Sequence, residues 1–213
     1  MRHLLLASLL LASVSAQTGG FGAFTTSSDV GAPPLKGSVA FDSTAREYKV
    51  TGSGADIWAK ADQFHYLWRE MAGDFTVSAT TTFLTDGNPH RKASIMLRKT
   101  LDEDSPFLHL AIHGDGMPSV QFRTTKADNV NTLDFPIGGP GVWTLKLTRQ
   151  SGAVTVWVAK GSATLKELGH TTNQLGSPVL VGLAVASHTK EATNTVSFSN
   201  VSVTPLPAPA AAR

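Results

Sequence analysis

The chain has 213 residues, with 18 Lys and Arg against 16 Asp and Glu, a formal charge of +2 and no cysteine. The missing thiols exclude a disulfide framework, a thiolate metal site, a cysteine nucleophile and a lipid anchor on an N-terminal cysteine. A charge this close to balance argues against nucleic acid or an anionic membrane as the main partner, because both favour a basic stripe.

Residues 1–16, MRHLLLASLLLASVSA, combine a basic start, an apolar run from Leu4 to Leu11 and the small residues Ser15 and Ala16. That pattern predicts a secretory signal peptide cleaved before Gln17, and hence export to the periplasm or the extracellular space. The apolar run is shorter than the roughly 20 residues that a membrane-spanning helix needs, so the chain is not expected to span a membrane. Residues 17–204 read as one domain, long enough to bury about 70% of the unfolded surface without covalent staples. The end, PLPAPAAAR at 205–213, reads as a flexible Pro/Ala-rich tail.

Between these ends the dominant signal is period-two alternation punctuated by Gly, Pro, Asn and Asp, which predicts many short strands. Strands are expected over 38–41, 47–51, 63–69, 74–83, 92–99, 107–113, 119–123, 179–187 and 195–203. Trp143, Leu145 and Leu147, then Val154, Val156 and Val158, predict a hairpin turned at Ser151-Gly152, with one buried and one wet face. Val196 and Phe198 differ in parity from Val201 and Val203, which calls for a bulge at Ser199-Asn200. The spacing of about ten residues between strands predicts an all-β sandwich or jelly roll.

The segment 88–116, NPHRKASIMLRKTLDEDSPFLHLAIHGDG, sets Lys92, Ser94, Met96 and Arg98 opposite Ala93, Ile95 and Leu97. It likewise sets Phe107, His109, Ala111 and His113 opposite Leu108, Leu110 and Ile112. The aliphatic sets predict a core, and the others one polar face. Gln121, Arg123 and His188 extend that face, and Gly182, Ala184 and Ala186 would leave a shallow depression in it. A groove edged by Arg98, His109, His113, Arg123 and His188, with Tyr66 and Trp58 as apolar platforms, suits a polyhydroxylated ligand; Trp157 is a further stacking candidate. If Phe64, Tyr66 and Trp68 face the core instead, His65 replaces Tyr66. The competing reading is an ordinary solvated sheet face.

Catalytic patterns are weak. The five glutamates, at 47, 70, 103, 167 and 191, are scattered, so a glycosidase pair of carboxylates would have to come from distant strands, with Asp56, Asp62 and Asp115 to be considered. His109 and His113 lie about 13 Å apart along one strand, too far to share a zinc ion. The cluster Asp102, Glu103 and Asp104 reads as a solvated turn, with a structural calcium as the alternative; no cofactor is expected.

Several segments together, GSGADIW (52–58), ADQFHYLW (61–68), GDFTVSA (73–79), NPHRKASIMLR (88–98), DEDSPFLHLAIHGDG (102–116), VQFR (120–123), VGLAVASH (181–188) and FSNV (198–201), resemble the bacterial concanavalin A-like domains of unknown function called "regulation of enolase protein". The NPHRKASIMLR and SP..HLAIHGDG segments resemble the version attached to TolB-type β-propellers. The resemblance implies a lectin/glucanase-type β-sandwich of two curved antiparallel sheets. It also implies an exported binding module without chemistry, directed at carbohydrate or a glycan-bearing surface. The alternatives are a glycoside hydrolase on the same fold, or a module docking on an envelope or propeller protein.

Overall fold

The computed structural model describes residues 20–172 and 175–207, so the expected signal peptide and most of the tail lie outside the described residues. Sixteen strands and no helix occur among the described residues. In chain order they are β1 (Thr26–Val30), β2 (Ser38–Asp42), β3 (Glu47–Gly54), β4 (Ile57–Trp58), β5 (Ala61–Asp62), β6 (Phe64–Met71), β7 (Phe75–Phe83), β8 (Lys92–Arg98), β9 (Phe107–His113), β10 (Pro118–Arg123), β11 (Asn131–Asp134), β12 (Trp143–Gln150), β13 (Ala153–Lys160), β14 (Lys166–Thr172), β15 (Val179–Ala186) and β16 (Thr189–Pro205). The first sheet runs β1-β6-β15-β8-β9-β10-β11, the second β14-β13-β12-β7-β16-β3-β2, and β4 pairs with β5.

Alternation dictates which side chains meet between the sheets. Ile95 and Leu97 of β8, Leu108 and Leu110 of β9, and Val181 and Leu183 of β15 pack against Val77 of β7, Leu145 and Leu147 of β12, Val156 of β13 and Phe198 of β16. Each such side chain contributes about 1.5–3 kcal/mol through burial. On the far side of the second sheet, register sets hydroxyls side by side: Thr76 with Thr148 at 2.9 Å, Ser78 with Ser202 at 2.9 Å and Thr80 with Thr144 at 3.1 Å. These cross-strand pairs zip β7 to both neighbours on a face that stays wet.

The expected turn at Ser151-Gly152 is present, with φ of 49° and 78° at the two positions, the left-handed pair that a two-residue hairpin turn requires. The bulge expected at Ser199-Asn200 is present too: the β16 register shifts between Ser199 and Ser202, and Asn200 has φ 50°. Pro205 still pairs with Phe75, and the Leu206 N–H donates to Asp74 O, so the ordered chain runs past the expected start of the tail. Strands β1, β4, β5, β11 and β14 were not expected, because their sequences, such as TSSDV and KELGHTT, carry no apolar alternation.

One expectation is corrected. Strands β8, β9 and β15 are buried along their whole length, on both faces. Their outer face is therefore not the solvated side of an open groove. Gly182 is also more than the floor of a depression: a Cβ there would lie 2.0 Å from Leu67 O, so the residue permits the approach of the β6 backbone. Gly182→Ala is expected to lower stability by about 2–3 kcal/mol, near the upper part of the range for single substitutions. Urea unfolding of the variant checks this.

Candidate functional site

The β4–β5 hairpin explains the burial. It folds across the outer face of the first sheet and inserts Ile57 into a second apolar cluster with Phe64, Tyr66, Met96, Ala184 and Ala186. The depression expected over the small residues is thus filled from within. Tyr66 shares the Arg98 face, as expected, but is fully buried, its hydroxyl 3.0 Å from both Met96 O and Leu180 O. Burial pushes its phenol far above the ordinary value. His65 is on the opposite face, where Nδ1 meets Asp29 Oδ1 at 2.7 Å, so it does not replace Tyr66.

Asp62, at the end of the hairpin, sits between Arg98 and Arg123, and all three are 0% exposed. Its Oδ2 accepts from Arg98 Nη1 at 2.7 Å and Arg123 Nη1 at 2.8 Å, and its Oδ1 accepts from Arg123 Nη2 at 2.8 Å. Further guanidinium bonds go to carbonyls: Arg98 to Thr100 and Asp102, Arg123 to Ala59, Ser105 and Asp128. Both guanidinium groups also lie over the Phe107 ring, at 5.7 and 5.1 Å. Burial lowers the Arg98 pKa, and the Asp62 charge opposes that shift. With five bonds from Arg123 and three from Arg98 made to the protein, and no side chain of the three exposed, this trio fastens the hairpin and the loops after β8 and β10 to the sheet. It does not present hydrogen bonds to a ligand.

A second polar group lies along the same face. Ser94, Ala111 and Ser119 are consecutive neighbours across β8, β9 and β10, buried and small. Lys92 and His113 flank this row on one side, His109 and Gln121 on the other. His109 Nε2 lies 2.9 Å from Gln121 Oε1; as that oxygen only accepts, the ring N–H is on Nε2 and Nδ1 is a bare lone pair. His113 Nε2 meets Ser119 Oγ at 2.9 Å. Both Nδ1 atoms are buried without a hydrogen-bond partner. Burial, the largest cause for each, holds His109 down to about 3 and His113 down to about 4. Asp56 closes the row from the roof, bonded to Lys92. His188 Nδ1 lies 3.2 Å from Asp56 Oδ2, within ion-pair range though outside hydrogen-bond geometry.

Of the seven residues expected at a ligand surface, only Trp58, at 40% exposure, and the half-buried His188 reach solvent appreciably. His188 arrives from the turn after β15, with φ 56°, and not from the strand. Trp157 is on the other sheet, under Lys146 Nζ at 4.7 Å. His90, not singled out in the sequence because it precedes β8, completes a rim: its ring lies 6.0 Å from that of His113 and 5.4 Å from that of His188. The carboxylates considered for catalysis are dispersed in role: Asp62 holds two arginines, Asp56 holds Lys92, and Asp115 accepts the Met117 N–H. Asp102 and Asp104 bind Lys126, at 2.6 and 3.3 Å. Among the described residues, no group of three or more His, Asp or Glu is arranged to hold a metal ion.

Two outcomes are expected. Asp62→Asn leaves two guanidinium charges buried without their counter-charge and lowers stability by about 3–5 kcal/mol in urea unfolding. His109 and His113 are neutral in the folded chain, whereas the unfolded chain binds protons below about pH 6.5. Their contribution is therefore complete above pH 6.5 and is lost as the pH falls toward 4 and then 3. Melting temperatures by circular dichroism should be flat from pH 8 to 7 and fall below 6.5, and His109→Gln should flatten its share of the slope.

No family model matches the chain, and no curated protein matches it. Similarity is found among solved structures. A functionally unknown protein from Saccharomyces cerevisiae superposes with a TM-score of 0.66 at 18% identity, over 89% of this chain and 100% of its own. The carbohydrate-binding module CBM66 from Bacillus subtilis gives 0.55 at 16%, over 85% and 96%. Lectin II from Ulex europaeus gives 0.53 at 9%, over 79% and 90%. A GH43 protein from Bacillus licheniformis gives 0.57 at 11% over 76% of this chain, which spans only 33% of that protein. At these identities the comparisons establish the fold: an all-β, concanavalin A-like sandwich of two large antiparallel sheets.

Proposed function

We propose that the chain is an exported, non-catalytic carbohydrate-binding module, of the "regulation of enolase" kind that accompanies TolB-type propellers. The observation that carries the reading is the rim that reaches solvent above the polar row. The rings of His90 and His188 lie 5.4 Å apart there, and imidazole nitrogens suit sugar hydroxyls as donors or acceptors. Trp58, exposed on the hairpin, adds an apolar platform for a sugar ring. The likeness to a carbohydrate-binding module and to lectins supports the same reading.

In this reading His188 and Trp58 meet the ligand, while His109, His113, Arg98, Arg123 and Tyr66, buried behind them, hold the surface in shape. Residues 1–16 act as the export signal, the domain follows from residue 17 and continues through β16 to Leu206, and no cofactor is required. A hydrolase on this fold would need two free carboxylates facing one bond, whereas Asp56 and Asp62 both neutralise cations.

The test is a glycan and polysaccharide panel with residues 17–213, alongside Trp58→Ala and His188→Ala. Saturable binding is expected, weakened about two- to tenfold by Trp58→Ala, the range of one aromatic contact, with melting temperature unchanged. Absence of binding to every sugar would overturn the reading in favour of a protein-docking surface.

A further inference from the structure

One end of the sandwich holds a cavity of about 290 Å³ between the loop after β7, the β9–β10 turn and the loop before β12. Among its lining residues are Phe83, Asp86, Arg91, His113, Gly114 and Gly141. Arg91 is the unusual one. It is only 8% exposed, yet no Asp or Glu among the described residues pairs with it. Its Nη1 donates to Gly87 O at 2.7 Å and Asn88 O at 3.0 Å, and its Cζ lies 4.7 Å over the Phe83 ring. Nε is buried with no acceptor, and Nη2 also makes no hydrogen bond. The side chain is therefore gripped at Nη1, with Nε sealed and Nη2 the donor left open.

A largely buried guanidinium without a counter-charge is costly, and a charge-assisted bond from Nη2 to a carboxylate meets that need. Elsewhere in this fold that need is met internally, as Asp62 meets it for Arg98 and Arg123. Arg149 is also buried without an ion pair, but it does not line this cavity. A second cation stands at the rim: Lys160 Nζ donates to Gly138 O, and a Cβ on Gly141 would lie 3.3 Å from Lys160 Cε. Gly114 keeps the wall thin, since a Cβ there would lie 2.6 Å from Arg91 Nη1. The volume, close to the lower bound of about 300 Å³ for small-molecule sites, fits one sugar-sized ligand.

We propose that this cavity binds a carboxylate on a monosaccharide-sized acid, a uronic acid residue being the source that fits its volume. The carboxylate pairs with Nη2 of Arg91, and the ring lies against the Gly114 and Pro140-Gly141 backbones. This cavity shares only His113 with the row beneath the roof, and carboxylate binding at Arg91 does not depend on neutral-sugar binding at the Trp58 and His188 rim.

Isothermal titration of the full secreted chain with galacturonate, galactose, acetate and sulfate tests it. Galacturonate is expected to bind and galactose not, with Arg91→Gln lowering the association constant about tenfold or more, as loss of a charge-assisted bond implies. Asp86→Asn removes a competing carboxylate from the lining, keeps Arg91 intact and should raise affinity about two- to fivefold. This second variant decides the matter if Arg91→Gln does not fold. Acetate binding as tightly as galacturonate would support carboxylate recognition but assign it to simple acids. No binding of either acid, binding of sulfate alone, or affinities indifferent to both variants would overturn the proposal.

Discussion

One buried carboxylate governs the outer face of the first sheet. Asp62 is the counter-charge for Arg98 and Arg123, which lie on β8 and β10 with β9 between them. Desolvating three charges is tolerable only because almost every donor and acceptor is matched, with carbonyls of Ala59, Thr100, Asp102, Ser105 and Asp128 completing the shell. The geometry then propagates. Once Asp62 is fixed, the β4–β5 hairpin must cross the sheet, and Ile57 must enter the space above Ala184 and Ala186. What is a solvated face in an ordinary antiparallel sheet becomes a second, smaller core.

That roof also sets the chemistry of the remaining polar groups. Lys92, His109 and His113 would be common surface residues on an open sheet. Beneath the hairpin they lose water, and the two imidazoles are held neutral by desolvation. A neutral ring with one nitrogen engaged by Gln121 or Ser119 has its other nitrogen free to meet a further group. The same logic applies to Arg91 at the end of the sandwich, where the protein supplies carbonyls for one tip of the guanidinium and no anion for the rest. Both places combine burial with incomplete satisfaction, a combination that native interiors seldom leave without a role.

Legibility in the sequence followed the physics of each signal. Strands whose side chains alternate apolar and polar, such as β7 and β12, were read from their pattern because burial on one face imposes it. The bulge in β16 was read from a parity slip between Phe198 and Val201, a local consequence of the same rule. Strands β1, β11 and β14 sit at sheet edges, and their largely exposed side chains carry no apolar alternation. Arg98, His109, His113 and Arg123 were placed on one face correctly, because parity fixes the side of a strand. Parity says nothing about what lies above that side.

The sequence by itself therefore determined the β-sandwich class, most strand positions, the inner core and the grouping of the polar residues, since all of these follow from periodicity two and local turn chemistry. Only the tertiary structure decided that the grouped residues are roofed, that Asp62 pairs with two arginines 36 and 61 positions away, and that Arg91 has no such partner. Those facts depend on where a short hairpin without an apolar pattern comes to rest. Its position is set by long-range charge pairing and by the shape of the space for Ile57, neither of which leaves a periodic trace in the chain.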